Sequence, residues 1–258
     1  MDIGTAKPSL AERALVPHHL IDIREVAEPV DVTQFARLAR EAVEGIAARG
    51  RPVLVAGGSG FYLKTFFGPV ADEVVVVPEL RTRIAARMAA EGLPALVAEL
   101  RSLNPGSLGA LDTANPRRVT RALERCQASG RTLEQLAASF AAQSGAFSDW
   151  NVELTELVRP PAELDLRIEQ RAKAMLEAGL VAEVTRLLSA GLKGNPSAAR
   201  AIGYREVIDF LEGRIDAERL EPEIVRNTRA LAKKQRTWFR TQLPANRTLI
   251  GLGDLSSG

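Results

Sequence analysis

Apolar residues recur at helical spacing through residues 32–49 (VTQFARLAREAVEGIAAR), at Phe35, Leu38, Ala39, Ala42, Val43 and Ile46. That spacing predicts an amphipathic helix, and Gly50 closes it as a C-terminal glycine. Arg51 and Pro52 lead into VLVA, a short apolar run of the kind that forms a buried parallel strand. Gly57, Gly58, Ser59 and Gly60 follow, and FYLKTFF reads as the start of a second helix. Helix, strand, glycine loop and helix is the grammar of an α/β unit with a parallel sheet. The loop falls at the carboxyl end of its strand, where open α/β sheets bind ligands.

From Pro78 to about Phe147 the pattern turns wholly helical. PELRTRIAARMAAEG, PALVAELRSL and PRRVTRALERCQASG each read as one helix, stopped by Gly or followed by Pro or Asn. No strand-like run interrupts them, so a helical insertion is expected at 78–149. Residues 152–158 (VELTELV) alternate weakly, as a return to the sheet would. ELDLRIEQRAKAMLEA then forms an amphipathic helix ended by Gly179, AEVTRLLSAG another, and ALAKKQRTWFRTQL a long basic one. The tail GLGDLSSG reads as disordered. The expected division is an α/β core of residues 1–77 and 150–258, ending in basic helices, around that insertion.

Charge singles out the last helix. From Ile224 to Arg247 there is no Asp or Glu. Arg226, Arg229, Lys233, Arg236 and Arg240 are spaced 3, 4, 3 and 4 apart, which stacks them on one helical face. Like charges so placed repel each other. A polyanion lying along them would relieve that repulsion, because each neutralised phosphate releases counterions. The alternative is a solvated basic face, although such faces ordinarily mix signs. The formal net charge is only +2, so the stripe is a local concentration. Charged residues at 26% and apolar residues at 46% are ordinary for a globular protein. The one cysteine, Cys126, excludes an internal disulfide framework and a multi-cysteine zinc site, and reads as a helix residue in a reducing compartment. No run reaches the ~18 apolar residues that span a membrane, and the start lacks a signal-peptide pattern, so the cytoplasm is expected. No coiled-coil heptad or large apolar stripe stands out, which leaves the oligomeric state open, with a monomer as the expectation.

Two further clusters attract anions. In NPRRVTR, Asn115 is a good N-cap and Pro116 a good first helical residue. Arg117, Arg118 and Arg121 would then crowd a first turn whose dipole favours negative charge. A phosphate would compensate, held by both the amides and the guanidinium groups; pairing with acids elsewhere in the fold is the alternative. In RAIGYRE, Gly203 suggests a loop turning into a helix, and Arg205 could grip a phosphate bidentately. Tyr204, taken alone, reads as a core residue. The loop GGSGFYLK is not a Walker A motif, because Lys64 comes one helical turn too late after Gly60. Its glycines either admit a ligand close to the backbone or only make a tight turn. His18 and His19 read as a surface pair, and Trp150 and Trp238 as core or rim anchors.

Read in order, MDIGTAKP, PHHLIDI, VLVAGGSGFYLK, NPRRVTRALE, AIGYRE and LAKKQRTWFR resemble the bacterial tRNA dimethylallyltransferases, or isopentenyl-diphosphate:tRNA transferases, from Met1 to about Arg240. The resemblance implies a P-loop-kinase-like α/β core with a helical insertion. It implies transfer of a dimethylallyl group from dimethylallyl diphosphate to N6 of adenosine 37, beside the anticodon of tRNAs reading codons that begin with U. The anticodon arm and dimethylallyl diphosphate are the partners it implies, and Mg²⁺ the cofactor. Segments that contact RNA in the family match Arg117, Arg118, Val119, Thr120 and Arg121. They also match Arg200, Ala201, Ile202, Gly203, Tyr204 and Arg205, and Lys233, Lys234, Gln235, Arg236, Thr237, Trp238, Phe239 and Arg240. Arg81 matches a further basic contact. Gly57, Gly58 and Ser59 match a Gly-Gly-Thr loop that lies near substrate with Gly60, and the serine keeps the hydroxyl. Arg205, neutralising the leaving diphosphate, and Thr5 are the catalytic residues it implies here.

The family pattern also has a stretch before MDIGTAKP, with a GPTASGKT-like loop and an Asp-Ser pair whose Asp takes the N6 proton. Neither string occurs in this sequence. The expectation is a start placed too late, with the first strand, the P-loop and most Mg²⁺ ligands missing. Exposed strand edges would then leave the chain poorly soluble or inactive. A non-catalytic RNA-binding remnant is the alternative. A small-molecule kinase is disfavoured by the missing Walker A sequence.

Overall fold

A computed structural model of the chain describes residues 1–244 and 247–250. The C-terminal GLGDLSSG expected to be disordered lies outside the described residues. Contacts divide the chain into two compact units, Met1–Phe67 with Ala146–Gly258, and Gly68–Gly145. The helical unit therefore begins before Pro78 and ends before Asp149.

The first unit opens with a tight loop and α1 (Leu10–Leu15), started by a capping box of Ser9 and Glu12. Helix α2 (Val32–Ala47) starts from a second capping box, Asp31 with Gln34, and buries Ala39 and Val43. Gly50 follows at φ +65, the left-handed conformation expected of a helix-ending glycine. The VLVA run is not a strand. Leu54 is 91% exposed, and no strand pairs with residues 53–56 among the described residues. A strand exists only through a partner's hydrogen bonds, and none is offered to this run. The glycine loop does turn into a helix, α3 (Gly60–Leu63), continued by a 3-10 turn at Lys64–Phe66. Phe66, Phe147, Ala39 and Val43 close a small core around it.

The second unit is helical. Helix α4 (Pro78–Ser102) breaks at Gly92, whose φ of 79 and ψ of 174 leave the helical region. Two helices meet there, as the intervening glycine and proline predict. Helix α5 (Pro116–Ser129) ends on Gly130 in the left-handed conformation. Helix α6 (Leu133–Ala141) starts from a capping box of Thr132 and Gln135. Leu80, Ile84, Leu96, Leu100, Val119, Leu123 and Leu136 form this unit's own core.

The chain then returns to the first unit. Strand β1 (Thr155–Val158) pairs in parallel with β2 (Arg247–Ile250), in register Thr155 to Arg247 and Val158 to Ile250. Between them run α7 (Pro161–Glu177), α8 (Leu180–Ser189), α9 (Pro196–Ala199), α10 (Tyr204–Leu211) and α11 (Ala217–Gln242). Ile168, Leu180, Val184, Leu192, Tyr204, Val207 and Ile224 make the larger core among α7, α8, α10 and α11. The fold is α/β, mostly helical, with a small parallel sheet. No helix among the described residues is long and apolar enough to cross a membrane.

Candidate functional site

The opening loop is fixed by a carboxylate the sequence gives little reason to notice. Glu183 lies on the apolar face of α8 beside Leu180, Val184 and Leu187, and is only 6% exposed. Its Oε2 accepts from the backbone N–H of Asp2 at 2.8 Å and of Ile3 at 3.1 Å. Its Oε1 accepts from the Tyr204 hydroxyl at 2.5 Å. Burial raises the Glu183 carboxyl, but the bonds from Tyr204, Asp2 and Ile3 outweigh it and hold it below the ordinary carboxylate value. Burial, and then Glu183, push the Tyr204 phenol well above its usual value. Gly4 packs so closely on the Tyr204 ring that a Cβ there would overlap it. Lys7 pairs with both Asp2 and Asp22, and Arg13 reaches Asp22 at 2.7 Å. Thr5, expected to be catalytic, is exposed on this loop and donates to the Met1 carbonyl at 2.9 Å.

Arg205 begins beside that loop's anchor. Gly203, at φ +93, turns the chain into α10, and its N–H donates to Glu206 Oε2 at 2.7 Å. Glu206 is 2% exposed. Its Oε1 accepts from Arg205 Nε at 2.9 Å and Nη2 at 2.6 Å, and from Asn227 Nδ2 of α11 at 2.7 Å. Arg205 is thus aimed by a buried acid, and its Nη1 has no acceptor among the described residues. Of the expected RNA contacts, Tyr204 and Val119 are 0% exposed with their side chains packed in the cores, and Gly203 is buried at the turn into α10. Ala201 and Ile202 are half-buried against the same core, while Arg200 is exposed.

Helix α11 carries the long basic face, but the five cations are not equivalent. Arg226 pairs with Glu223, and Arg229 reaches Asp165 at 3.1 Å and Glu169 at 2.6 Å on α7. Lys233, Arg236 and Arg240 have no acidic side chain paired with them among the described residues, and Lys234 likewise. The uniform stripe expected from spacing is therefore a paired half and an unpaired half. The unpaired half lines an open cleft of about 630 Å³ with Glu156, Thr237, Phe239, Leu243 and Pro244. On the opposite side of the helix, Gln235 Nε2 donates to the Gly58 carbonyl at 2.8 Å. Trp238 lies against Gly60, where a Cβ would overlap its ring. The glycine loop is a close-approach loop, and what it approaches is α11. Trp238 is an anchor, and Ser59 stays exposed with no cap bond from its hydroxyl.

The helical unit holds its own basic patch. Asn115 caps α5 by accepting from Arg118 N at 3.2 Å. Arg121 pairs with buried Glu124 at 2.8 Å, and Arg125 pairs with Asp72. Arg117 and Arg118 are exposed with no acid paired to them among the described residues, so acid pairing answers the crowded first turn only at Arg121. They line a cleft of about 700 Å³ floored by Leu108, Leu111 and Leu133. Thr120 donates back to the Pro116 carbonyl at 2.8 Å. Arg81 is exposed in the first turn of α4.

Among the described residues no three His, Cys, Asp or Glu come together in a way that could hold a metal ion. No chemical step is assigned to the implied Mg²⁺, which is ordinarily held by one or two carboxylates together with substrate phosphates. His18 is exposed and bonded to the Val16 carbonyl at 2.7 Å.

A model of the IPP transferase family matches residues 1–242. The chain is 64% identical over 247 residues to the tRNA dimethylallyltransferase of Opitutus terrae, across 96% of this chain and 79% of that protein. It is 39% identical over 242 residues to tRNA dimethylallyltransferase 1 of Trichlorobacter lovleyi, across 94% and 78%. The solved tRNA isopentenylpyrophosphate transferase of Bacillus halodurans is 31% identical with a TM-score of 0.66, covering 97% of this chain and 77% of that one. A eukaryotic dimethylallyltransferase acting on tRNA shares the fold at a TM-score of 0.80 and 23% identity, covering 99% and 65%. Matched by the family model over residues 1–242 and by a relative this similar across most of both sequences, the chain belongs to the IPP transferase family.

Proposed function

We propose that the chain transfers a dimethylallyl group from dimethylallyl diphosphate to N6 of adenosine 37 in tRNAs that read codons beginning with U. The observation that carries this reading is the 64% identity to a tRNA dimethylallyltransferase along 96% of the chain. The unpaired cations Lys233, Arg236 and Arg240, and separately Arg117 and Arg118, support an RNA partner. Phosphate contacts of this kind supply affinity and register rather than base identity.

In the reaction the adenine N6 attacks C1 of the dimethylallyl group. The C–O bond to diphosphate breaks, the N–C bond forms, and the N6 proton passes to a base that no residue here is assigned to be. Arg205, held by Glu206 through two of its nitrogens, presents its remaining donors to the departing diphosphate. Thr5 offers a hydroxyl from the neighbouring loop. Unstacking the target adenine costs roughly a few kcal/mol, which binding at the basic surfaces offsets.

The test is incubation of the chain with unmodified tRNA and labelled dimethylallyl diphosphate, followed by nuclease mapping of the label. Label on N6 of adenosine 37 is expected. Retention of tRNA without any transfer would replace this reading with a non-catalytic RNA-binding role.

A further inference from the structure

Glu183 is an expensive residue where it stands. A carboxylate 6% exposed among Leu180, Val184 and Leu187 has left water, and a well-packed apolar side chain there would commonly be as stable or more so. What the carboxylate does that an apolar residue cannot is accept from three donors on two distant segments. Asp2 N and Ile3 N belong to the opening loop, and the Tyr204 hydroxyl belongs to α10. Both segments continue directly into residues the proposed reaction uses. Two residues beyond Ile3 stands Thr5, and one beyond Tyr204 stands Arg205. Gly4, between the bonded amides and Thr5, lies so close to the Tyr204 ring that a Cβ there would overlap it, which brings the loop against α10 beside Arg205.

We propose that Glu183 is a positioning residue for the transfer: its carboxylate clamps the Asp2–Thr5 loop to Tyr204 and so sets where Thr5 lies relative to Arg205. This rests on the reading given under Proposed function. The hydrogen bonds of Glu183 go to Asp2, Ile3 and Tyr204 and not to Thr5 or Arg205 among the described residues, so the residue acts through the two segments it joins. A shift of about an ångström in a positioned group costs on the order of a hundredfold in rate, which is the scale of effect such a clamp controls.

The experiment compares Glu183→Ala, Glu183→Leu and Glu183→Gln with the unaltered chain by three readouts. These are amide hydrogen exchange at Asp2 and Ile3, tRNA retention on filters, and transfer kinetics resolved into kcat and KM for dimethylallyl diphosphate. Glu183→Leu refills the space and keeps the fold measurable if Glu183→Ala unfolds. Glu183→Gln can turn its carbonyl to the two amides and its NH₂ to the phenol oxygen, so it restores the clamp without the charge. Expected for Glu183→Leu are loss of protection at Asp2 and Ile3 alone, unchanged tRNA retention, and a fall in kcat/KM on the order of tenfold to a hundredfold. Glu183→Gln should recover to within a few-fold. Unaltered kinetics in a folded Glu183→Leu, or losses in retention and transfer that merely track thermal stability, would overturn the proposal. Should the unaltered chain transfer nothing, the proposed function fails on its own. Amide exchange then decides the clamp, because protection surviving in Glu183→Leu sinks it.

Discussion

Replacing Lys233, Arg236 and Arg240 together by glutamine should flatten the salt dependence of tRNA binding by about 2 to 3 in the slope of log affinity against log salt. Each cation that neutralises a phosphate contributes about 0.9 to that slope on a duplex and about 0.7 on a single strand. These three side chains line one cleft of α11 and have no acid paired with them among the described residues, so each is available to a phosphate. Arg229 sits on the same face but is engaged by Asp165 and Glu169 at 3.1 and 2.6 Å. Arg229→Gln should therefore leave the slope nearly unchanged, although freeing two acids lowers affinity at every salt concentration. The assay is filter retention or fluorescence anisotropy of an unmodified tRNA titrated from about 50 to about 200 mM monovalent salt. Over that fourfold range each lost contact changes the affinity ratio by about threefold. If Arg229→Gln and Arg236→Gln flatten the slope equally, ion pairs with α7 do not silence a cation, and counting the stripe as five equal charges was right. If the triple variant leaves the slope unchanged, α11 does not carry the phosphate contacts.

Gly60→Ala places a methyl inside the Trp238 ring and should destabilise the first unit by about 1–3 kcal/mol, read as a fall in thermal midpoint; Trp238→Ala in the same chain should recover part of it. Glu183 has a folded-state pKa held below its ordinary 4.5, so its stabilising contribution is complete above that value and fades as pH falls through the lowered one. The stability gap between the unaltered chain and Glu183→Gln should accordingly narrow between about pH 5 and pH 3, and a constant gap would refute the assignment. Burial pushes the Cys126 thiol up, against a weaker opposing bond from Asn104, so alkylation near neutral pH should run on the order of a hundredfold slower than in the unfolded chain. A thiol that reacts at the unfolded rate would show that the core of the helical unit opens freely.

Helices were legible because their signals are local. The 3.6-residue periodicity of α2, the Pro and Gly bracketing α5, and Gly203 before α10 all act within a turn or two of the residues they organise. The Thr132 to Gln135 capping box of α6 was equally local and could have been read directly from T-x-x-Q. VLVA failed for the opposite reason. Four apolar residues state that a segment can be a strand, but pairing depends on what lies alongside, and Leu54 and Val55 instead stand exposed at 91% and 43%. VELTELV pairs because β2, some ninety residues later, supplies the edge.

The site divides along the same line. Residue type and spacing identified the cations that line the two clefts without an acid paired to them among the described residues: Lys233, Arg236, Arg240, Arg117 and Arg118. Spacing could not tell these from Arg226, Arg229 and Arg121, whose acids come from the next turn or from another helix. Only the Glu223 and Glu124 partners stood within four positions and could have been found by pairing charges along each helix before counting them. Asp165 and Glu169, at separations of 64 and 60 residues from Arg229, could not. The same holds for Glu183, which reads as one acid on an apolar face until Asp2, Ile3 and Tyr204 are brought to it. An isolated acid in an apolar stripe is nevertheless a usable signal, since burying it unpartnered would cost several kcal/mol. Such a residue asserts that donors converge on it from elsewhere in the chain. Here the donors are the two segments that carry Thr5 and Arg205, so an acid on the apolar face of α8 joins the segments of the proposed site.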